Sequence, residues 1–367
     1  MQSRHTLEPE HPFPLDQFGM SEFTDSPFVS VIMPVRNEQS AIPRVLDCLL
    51  AQDYPRDQME IVVSDGMSTD NTRQIVCLAA AVDPRIHLID NPRRIMATGF
   101  NAGLSAARGD IIIMMGGHTE VARDYVKTCC SLLQEGLADC VGGPISTVCE
   151  TGRAEAISLA MSSRFGVGGV AFRVGCRGRK YVDTVAFGAY TRQIIERTGP
   201  LDEEFVRNQD DEFNYRLRKL GGKILITPEI RSRYTSRSSI SSLWRQYFQY
   251  GYWKIRVLQK HPRQMQLRHF VPAVFVCALL LSLLMAVIRP AIGSAALFSL
   301  CAIYLLGITV VCVSVVVRRR KWWLAPALAI CFPVLHFSYG TGFLLGLAKF
   351  RARWKEPQKT HLLTSRV

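Results

Sequence analysis

Charge is what this sequence lacks towards its C-terminal end. Between residues 270 and 350 there is no aspartate or glutamate, and the basic residues are Arg289, the run at 318–321, and Lys349. A block that apolar excludes a chain that is water-soluble throughout. The eleven cysteines contain no C-x-x-C pair, so a zinc or dithiol motif is not expected and reduced core thiols are. No Gly-x-Gly-x-x-Gly turn follows the first apolar run. Pro34, Val35, Arg36, Asn37 and Glu38 stand there instead, which argues against a nicotinamide dehydrogenase. Despite a formal net charge of +13 over 367 residues, no nucleic-acid-binding module is visible. The positive charge gathers over residues 164–268 and at the edges of the apolar block, which fits an anionic membrane face or a phosphate-bearing ligand and no nucleic acid. Residues 1–27 are polar, rich in Pro, His and acidic residues, and carry no signal-peptide pattern. They are expected to be a disordered lead-in.

A bilayer is crossed by roughly 20 apolar residues. Residues 270–288 and 291–317 meet that length without a charge. Residues 322–350 are long enough but are expected to be broken by Pro326, Pro333 and the patch Ser338, Tyr339, Gly340, Thr341, Gly342. Lys254, Arg256, Lys260, Arg263 and Arg268 precede the first span, residues 318–321 follow the second, and only Arg289 lies between. Basic flanks stay in the cytosol, so the first two spans form a hairpin and the N-terminal domain is cytosolic, at the inner membrane of the cell. The tail at 351–367 is also basic, which a re-entrant or interfacial third segment, or two short helices, satisfies and a single crossing does not.

Ahead of this block, short apolar runs alternate with helical patterns. Runs at 28–35, 60–65, 86–89 and 109–115 read as strands, and 41–52, 71–81 and 101–107 as helices. Residues 181–190 read as extended, 210–220 as a helix and 224–226 as a strand. The alternation predicts an α/β domain over residues 28–240 with a doubly wound parallel sheet, whose ligands sit beyond the carboxyl ends of the strands. Residues 241–268 read as an amphipathic linker leading to the membrane region at 269–350.

Four constellations can carry chemistry. Asp65 and Asp70 follow the second strand, where a carboxylate can hold a nucleoside or cap the next helix. Gly116, Gly117, His118, Thr119 and Glu120 follow the fourth strand, and His118 and Glu120 are types that bind a divalent ion. Asp210, Asp211 and Glu212 open a helix. They suit its dipole, and their crowding also raises at least one pKa and can poise a general base. In the segment 244–254, Trp, Tyr and Phe alternate with Gln246, Arg245 and Lys254, a pattern equally suited to sugar and phosphate contacts or to a helix lying on the bilayer.

Their order and spacing resemble the family 2 inverting glycosyltransferases of GT-A fold, over residues 29–254, in the manner of the succinoglycan-biosynthesis ExoA type. The resemblance rests on residues 29–38, the Asp65–Asp70 loop, Asn101 with Ala102 and Gly103, the pair Gln209 and Asp210 followed by Glu212 and Arg216, and the Gln246–Lys254 segment. It implies a Rossmann-like nucleotide-binding sheet with a mixed extension, followed by transmembrane helices. It further implies that Asp210 is the catalytic base, and that Pro34, Glu38, Asp65, Asp70 and Asn101 hold the nucleotide. Gln246 and Lys254 would then meet the diphosphate, while His118 and Glu120 hold Mg or Mn. The implied reaction moves a hexose such as glucose from a UDP-sugar to a lipid-linked saccharide in surface polysaccharide or glycolipid synthesis. Two positions depart from the family pattern. Gly116 stands where its metal motif has Asp, and Gln209 where Glu is usual. A non-catalytic scaffold of the same fold, weakened by Gly116, and a processive synthase remain the alternatives.

Overall fold

The computed structural model describes residues 26–149, 151–235 and 239–355. The expected lead-in therefore lies outside the described residues up to residue 25, as does the basic tail beyond residue 355. In chain order the N-terminal half runs β1 Val29–Val35, α1 Ile42–Leu50, β2 Met59–Asp65, α2 Thr72–Val82, β3 Ile86–Asp90, α3 Met96–Ala106, β4 Ile111–Met114, β5 Thr119–Val121, α4 Tyr125–Gln134, β6 Cys140–Gly142 and β7 Ile145–Val148. Then come α5 Gly152–Met161, the single turns α6 Arg164–Val167 and α7 Ala171–Val174, β8 Lys180–Tyr181, β9 Ala189–Thr191, α8 Arg192–Thr198, α9 Gln209–Lys219, β10 Ile224–Ile226 and β11 Ser232–Thr235. Four long helices end the chain: α10 Ile240–Lys260, α11 Leu267–Ile288, α12 Pro290–Arg319 and α13 Ala325–Lys349.

Eight strands form one sheet in the order β3-β2-β1-β4-β9-β6-β10-β8. The first four are parallel, as the alternating pattern predicts. Beyond them the sheet is mixed, because β9 runs antiparallel between β4 and β6. The apolar runs are continuous because both faces are covered. Val29, Val31, Met33 and Val35 pack with Ile42, Val76 and Val126 on one side. Ile32, Ile112 and Met114 pack with Phe100, Phe213 and Leu217 on the other. Such two-sided burial is what parallel strands require. Strand order reverses at β1, which opens a crevice beyond the ends of β1 and β4.

Residues 181–190 do not form the expected single extended run. Only its ends pair, as β8 and β9. Phe187 between them takes a left-handed φ of 52°, a turn that breaks a strand and throws its ring towards the crevice.

Three helices are long and apolar enough to cross a membrane. At about 1.5 Å per residue, α11 and α12 each exceed the roughly 30 Å hydrocarbon thickness. The third segment is one helix from Ala325 to Lys349, with Pro333 inside it, and is not broken at its prolines or at the 338–342 patch. That patch is instead a contact surface. A Cβ on Gly342 would lie 2.1 Å from the Phe248 carbonyl oxygen of α10, and one on Gly251 would lie 2.1 Å from that of Tyr339. Only glycine admits so close an approach of two helices. Phe248 faces Gly342 and Tyr252 faces Gly346, so α10 and α13 run side by side in the same direction.

The expected amphipathic linker is thus a helix clamped between the α/β domain and α13. Lys254 pairs with Asp211, Arg256 with Glu204, and Lys260 with Asp202 and Glu204. Both ends of α13 are tied to the rest of the chain: Lys321 to Glu155 of α5 at 2.8 Å, and Arg353 to Glu204 at 3.0 Å.

Candidate active site

The loops after β1 and β4, with residues from α9 and α10, enclose a cleft of about 500 Å³ at the strand-order reversal. Pro34, Val35, Arg36 and Glu38 line it from β1 and its loop, Gly116, Gly117 and His118 from β4, and Asp210 and Gln246 from the helices. Four guanidinium groups face it as well, those of Arg36, Arg94, Arg173 and Arg207. Sequence reasoning assigned no role to these four. The basic excess over residues 164–268 was their only trace, and it covers just two of them.

The residues expected to hold a nucleotide divide into two groups. Pro34, Glu38 and Gln246 line the cleft, and Gln246 donates to the Tyr250 hydroxyl at 2.9 Å. Asp65 is buried at the base of the loop, where its carboxylate accepts from the backbone and hydroxyl of Ser68 and lies 3.4 Å from Arg73 Nη1. Asp70 does not reach the cleft; it accepts from Thr72 N–H and hydroxyl and from Gln39 N–H, and so ties two loops together. Asn101 is also outside the cleft. It bonds in both directions to the Leu201 backbone and donates to Glu203, anchoring the loop that precedes α9.

The expected metal pair separates too. His118 lies in the cleft, its Nδ1 3.1 Å from Glu38 Oε1 and its ring edge-on to Tyr234. Glu120 sits in β5, paired with Arg233 of β11, and its carboxylate reaches Arg44 at 3.9 Å on the outside. One residue moves to the adjacent side of the pleat per step along a strand, so His118 and Glu120 face one side only if the chain is regular from 118 onwards. Here β5 begins at Thr119. A Cβ on Gly116 would meet the Phe187 ring at 3.2 Å and Thr119 Oγ1 at 3.1 Å. A side chain at position 116 would therefore need the Phe187 ring and the Thr119 hydroxyl to give way by a few tenths of an ångström. Among the described residues no three His, Cys, Asp or Glu side chains converge. Among the described residues lining the cleft, Glu38, His118 and Asp210 carry side chains of the types that bind a divalent cation.

The three acidic residues that open α9 have different fates. Asn208 takes a left-handed φ of 63°, and its side chain donates to the Tyr250 carbonyl while Arg207 donates to Gln249. These bonds to α10 fix the start of α9. Asp211 accepts from Lys254 Nζ at 2.5 Å. Burial alone would raise its pKa, but the Lys254 charge holds it below the usual range. Glu212 is buried between His261 and Arg216, and these partners likewise outweigh burial and hold it down. Among the described residues no cationic side chain bonds to Asp210, which accepts from the Asp211 N–H. Burial pushes its carboxyl up, and the Asp211 charge beside it pushes the same way. Lys254 is therefore committed to Asp211 and lies outside the cleft that it was expected to line.

A second cavity, of about 520 Å³, lies on the other side of Asp210, between α6, α10, α11 and α13. Phe172, Arg173, Asp210 and Tyr250 border both spaces. A carboxyl of raised pKa thus stands in the wall between two cavities. It can accept a proton from a group on one side while that group attacks a molecule on the other.

Residues 30–196 match the family described as glycosyl transferase family 2. A Methanococcus voltae protein, dolichyl N-acetyl-alpha-D-glucosaminyl phosphate 3-beta-D-2,3-diacetamido-2,3-dideoxy-beta-D-glucuronosyltransferase, is 29% identical over 89% of this chain and 99% of its own. The succinoglycan biosynthesis protein ExoA of Rhizobium meliloti is 29% identical over 88% of this chain and 96% of its own. Among solved structures, the mannosyltransferase PcManGT of Pyrobaculum calidifontis, in complex with GDP-Man and Mn2+, shares the fold with a TM-score of 0.53 and 20% identity, over 91% of this chain and 89% of that one. With the crevice at the strand reversal and the mixed sheet around it, these likenesses identify the chain as a glycosyltransferase whose residues 30–196 form a family 2 domain of GT-A fold.

Proposed function

We propose that the chain is a membrane-anchored inverting transferase that moves a hexose, glucose or a close relative, from a UDP-sugar to a lipid-linked saccharide. The observation that carries this reading is the position of Asp210 between the crevice and a cavity walled by the apolar helices. The nucleoside would lie against Pro34, Arg36 and Glu38, with its diphosphate towards Arg173, Arg207 and Gln246. A hydroxyl of the acceptor enters from the second cavity and attacks the anomeric carbon. Its proton passes to Asp210 as the bond from that carbon to the diphosphate oxygen breaks. The nucleoside diphosphate leaves with the bonding electrons, its charge met by the guanidinium groups. One displacement inverts the anomeric centre. A Mg or Mn ion held by Glu38 and His118 would add Lewis-acid stabilisation of the same leaving group.

We read α11 and α12 as a hairpin through the cytoplasmic membrane and α13 as lying along the domain, with the catalytic domain in the cytosol. The ties at both ends of α13 support this.

The test is transfer of labelled sugar from a panel of UDP-hexoses to membrane lipid by the purified full chain, with and without Mg or Mn. A lipid-soluble product that disappears in Asp210→Asn is expected. Unchanged turnover in that variant would refute the mechanism. Gly116, closely packed against Phe187, favours one rival, a scaffold that binds nucleotide without turnover. Thermal stabilisation by UDP without product from any donor would establish it.

A further inference from the structure

A third space, a groove of about 560 Å³, opens at the β8 edge of the sheet and does not include Asp210. Four cations converge on it from separate parts of the chain: Lys180 of β8, Arg218 in the last turn of α9, Lys223 just ahead of β10, and Arg268 in the first turn of α11. Asp183 is the one carboxylate among the described residues of that lining. It is already used, by Arg268 at 2.5 Å and by Gln266 at 3.2 Å. Among the described residues no carboxylate pairs with Lys180, Arg218 or Lys223. Lys223 lies over the Tyr181 ring, 5.9 Å from its centroid. The Nε of Arg268 is buried and has no partner.

A lysine on an edge strand guards that edge against pairing with another chain, which accounts for Lys180 alone. The other three cations come from outside the edge strand. Like charges gathered in one groove repel. An anion with several oxygens relieves that repulsion and supplies the acceptor that the Arg268 Nε lacks. All four cations belong to the basic excess over residues 164–268, of which the cleft takes up only Arg173 and Arg207. The groove also lies where the chain turns into its apolar helices. Gln266 and Arg268 open α11, and Leu267 and Val271 beside them are exposed.

We propose that this groove is an anion site, separate from the transfer site, that holds a phosphate group through Lys180, Arg218, Lys223 and the Nε edge of Arg268. The phosphate belongs to an anionic headgroup of the adjoining leaflet or comes from solution, and the same contacts hold it in either case. Arg268 lines this groove and the second cavity alike, so an anion held here also fixes one wall of the space beside Asp210. The site stands whether or not the chain transfers sugar.

The experiment follows thermal unfolding of the full chain in uncharged detergent micelles. Inorganic phosphate is added in one arm, with sodium chloride at matched ionic strength as its control. Phosphatidylglycerol is added to the micelles in the other, with phosphatidylcholine as its control. The variant combines Lys180→Gln and Arg218→Gln, two exposed positions outside the transfer site. Without added anion it should melt at or above the wild-type temperature, because two repelling charges are gone. At least one phosphate source should raise the wild-type melting temperature beyond its control, with an apparent affinity at least about tenfold weaker in the variant. Stabilisation by phosphatidylglycerol alone assigns the headgroup, and stabilisation by inorganic phosphate without lipid assigns a soluble ion. Arg36→Ala, in the cleft, should leave the response unchanged. The proposal is overturned if neither source stabilises beyond its control, or if the variant responds as the wild type does. It is also overturned if Arg36→Ala removes the response, which would place the anion in the cleft. A variant that melts below the wild type without added anion overturns it as well, since the two cations would then be satisfied within the folded chain.

Discussion

At the scale of single residues, the start of α9 decides how the chemistry is distributed. Three consecutive carboxylates receive three environments: Lys254 for Asp211, Arg216 and His261 for Glu212, and two cavities for Asp210. Asp210→Asn should lower kcat by about 100-fold to 10,000-fold, the range for a lost general base, while the affinity for UDP by calorimetry stays unchanged. A base works only when deprotonated. Because burial and Asp211 raise the Asp210 pKa, activity should fall on acidification at a higher pH than the ordinary aspartate value of about 3.9. Lys254 pulls that pKa down, so Lys254→Met should move the acid limb of the kcat profile to still higher pH. A limb that moves to lower pH would contradict this arrangement. Gly116 makes a separate residue-scale case. Gly116→Asp forces the Phe187 ring to move and should cost about 1–3 kcal/mol by thermal unfolding, and adding Phe187→Ala should recover part of that cost.

At the scale of elements, α10 holds the molecule together. Leu243, Tyr247, Gly251, Lys254, Ile255, Arg256 and Val257 are its buried positions, at the helical spacing that two packed neighbours demand. On one side its cations meet the domain. Burial would raise the pKa of Glu204, but bonds from Arg256 and Lys260 bring it down to about 2. A carboxylate depressed in the folded state stabilises it above the unfolded value of about 4.3, and this contribution is lost as pH falls from there towards 2. Glu204→Gln should therefore lower the melting temperature at pH 7 and narrow its gap to the wild type as pH falls below about 4. On the other side, α10 touches α13 backbone to backbone. Gly342→Leu should separate the two helices and cost about 1–3 kcal/mol or more, read as a lower melting temperature with loss of the second cavity's function.

At the scale of the whole molecule, the ties at both ends of α13 bear on topology. If α11 and α12 cross and return while α13 stays along the domain, a tag appended after Val367 and the N-terminus should share one side of the membrane, with a tag inserted at Arg289 on the other. Protease protection in oriented vesicles measures this. A C-terminal tag that shares the side of Arg289 would show that α13 crosses.

The parallel strands, the helices between them and the apolar block were legible in the sequence because each is a local pattern. Burial of both faces makes continuous runs such as 28–35, and 20 or more uncharged residues make helices long and apolar enough to cross a membrane. The places of Asp210, the β1 loop and His118 at the cleft were also legible, because they stand at strand and helix ends, where a parallel sheet opens. What failed to show was decided by partners far away in the chain. Asp70 and Asn101 resemble ligand contacts but are used by Gln39 and Leu201. Lys254 is claimed by Asp211, 43 residues earlier. The 338–342 patch, expected to break a helix, is the seam against α10. Short-range spacing determines which residues stand at the end of an element. Only the packing of α10 against both the domain and α13 determines which partners those residues take, and so which of the three carboxylates is left between two cavities.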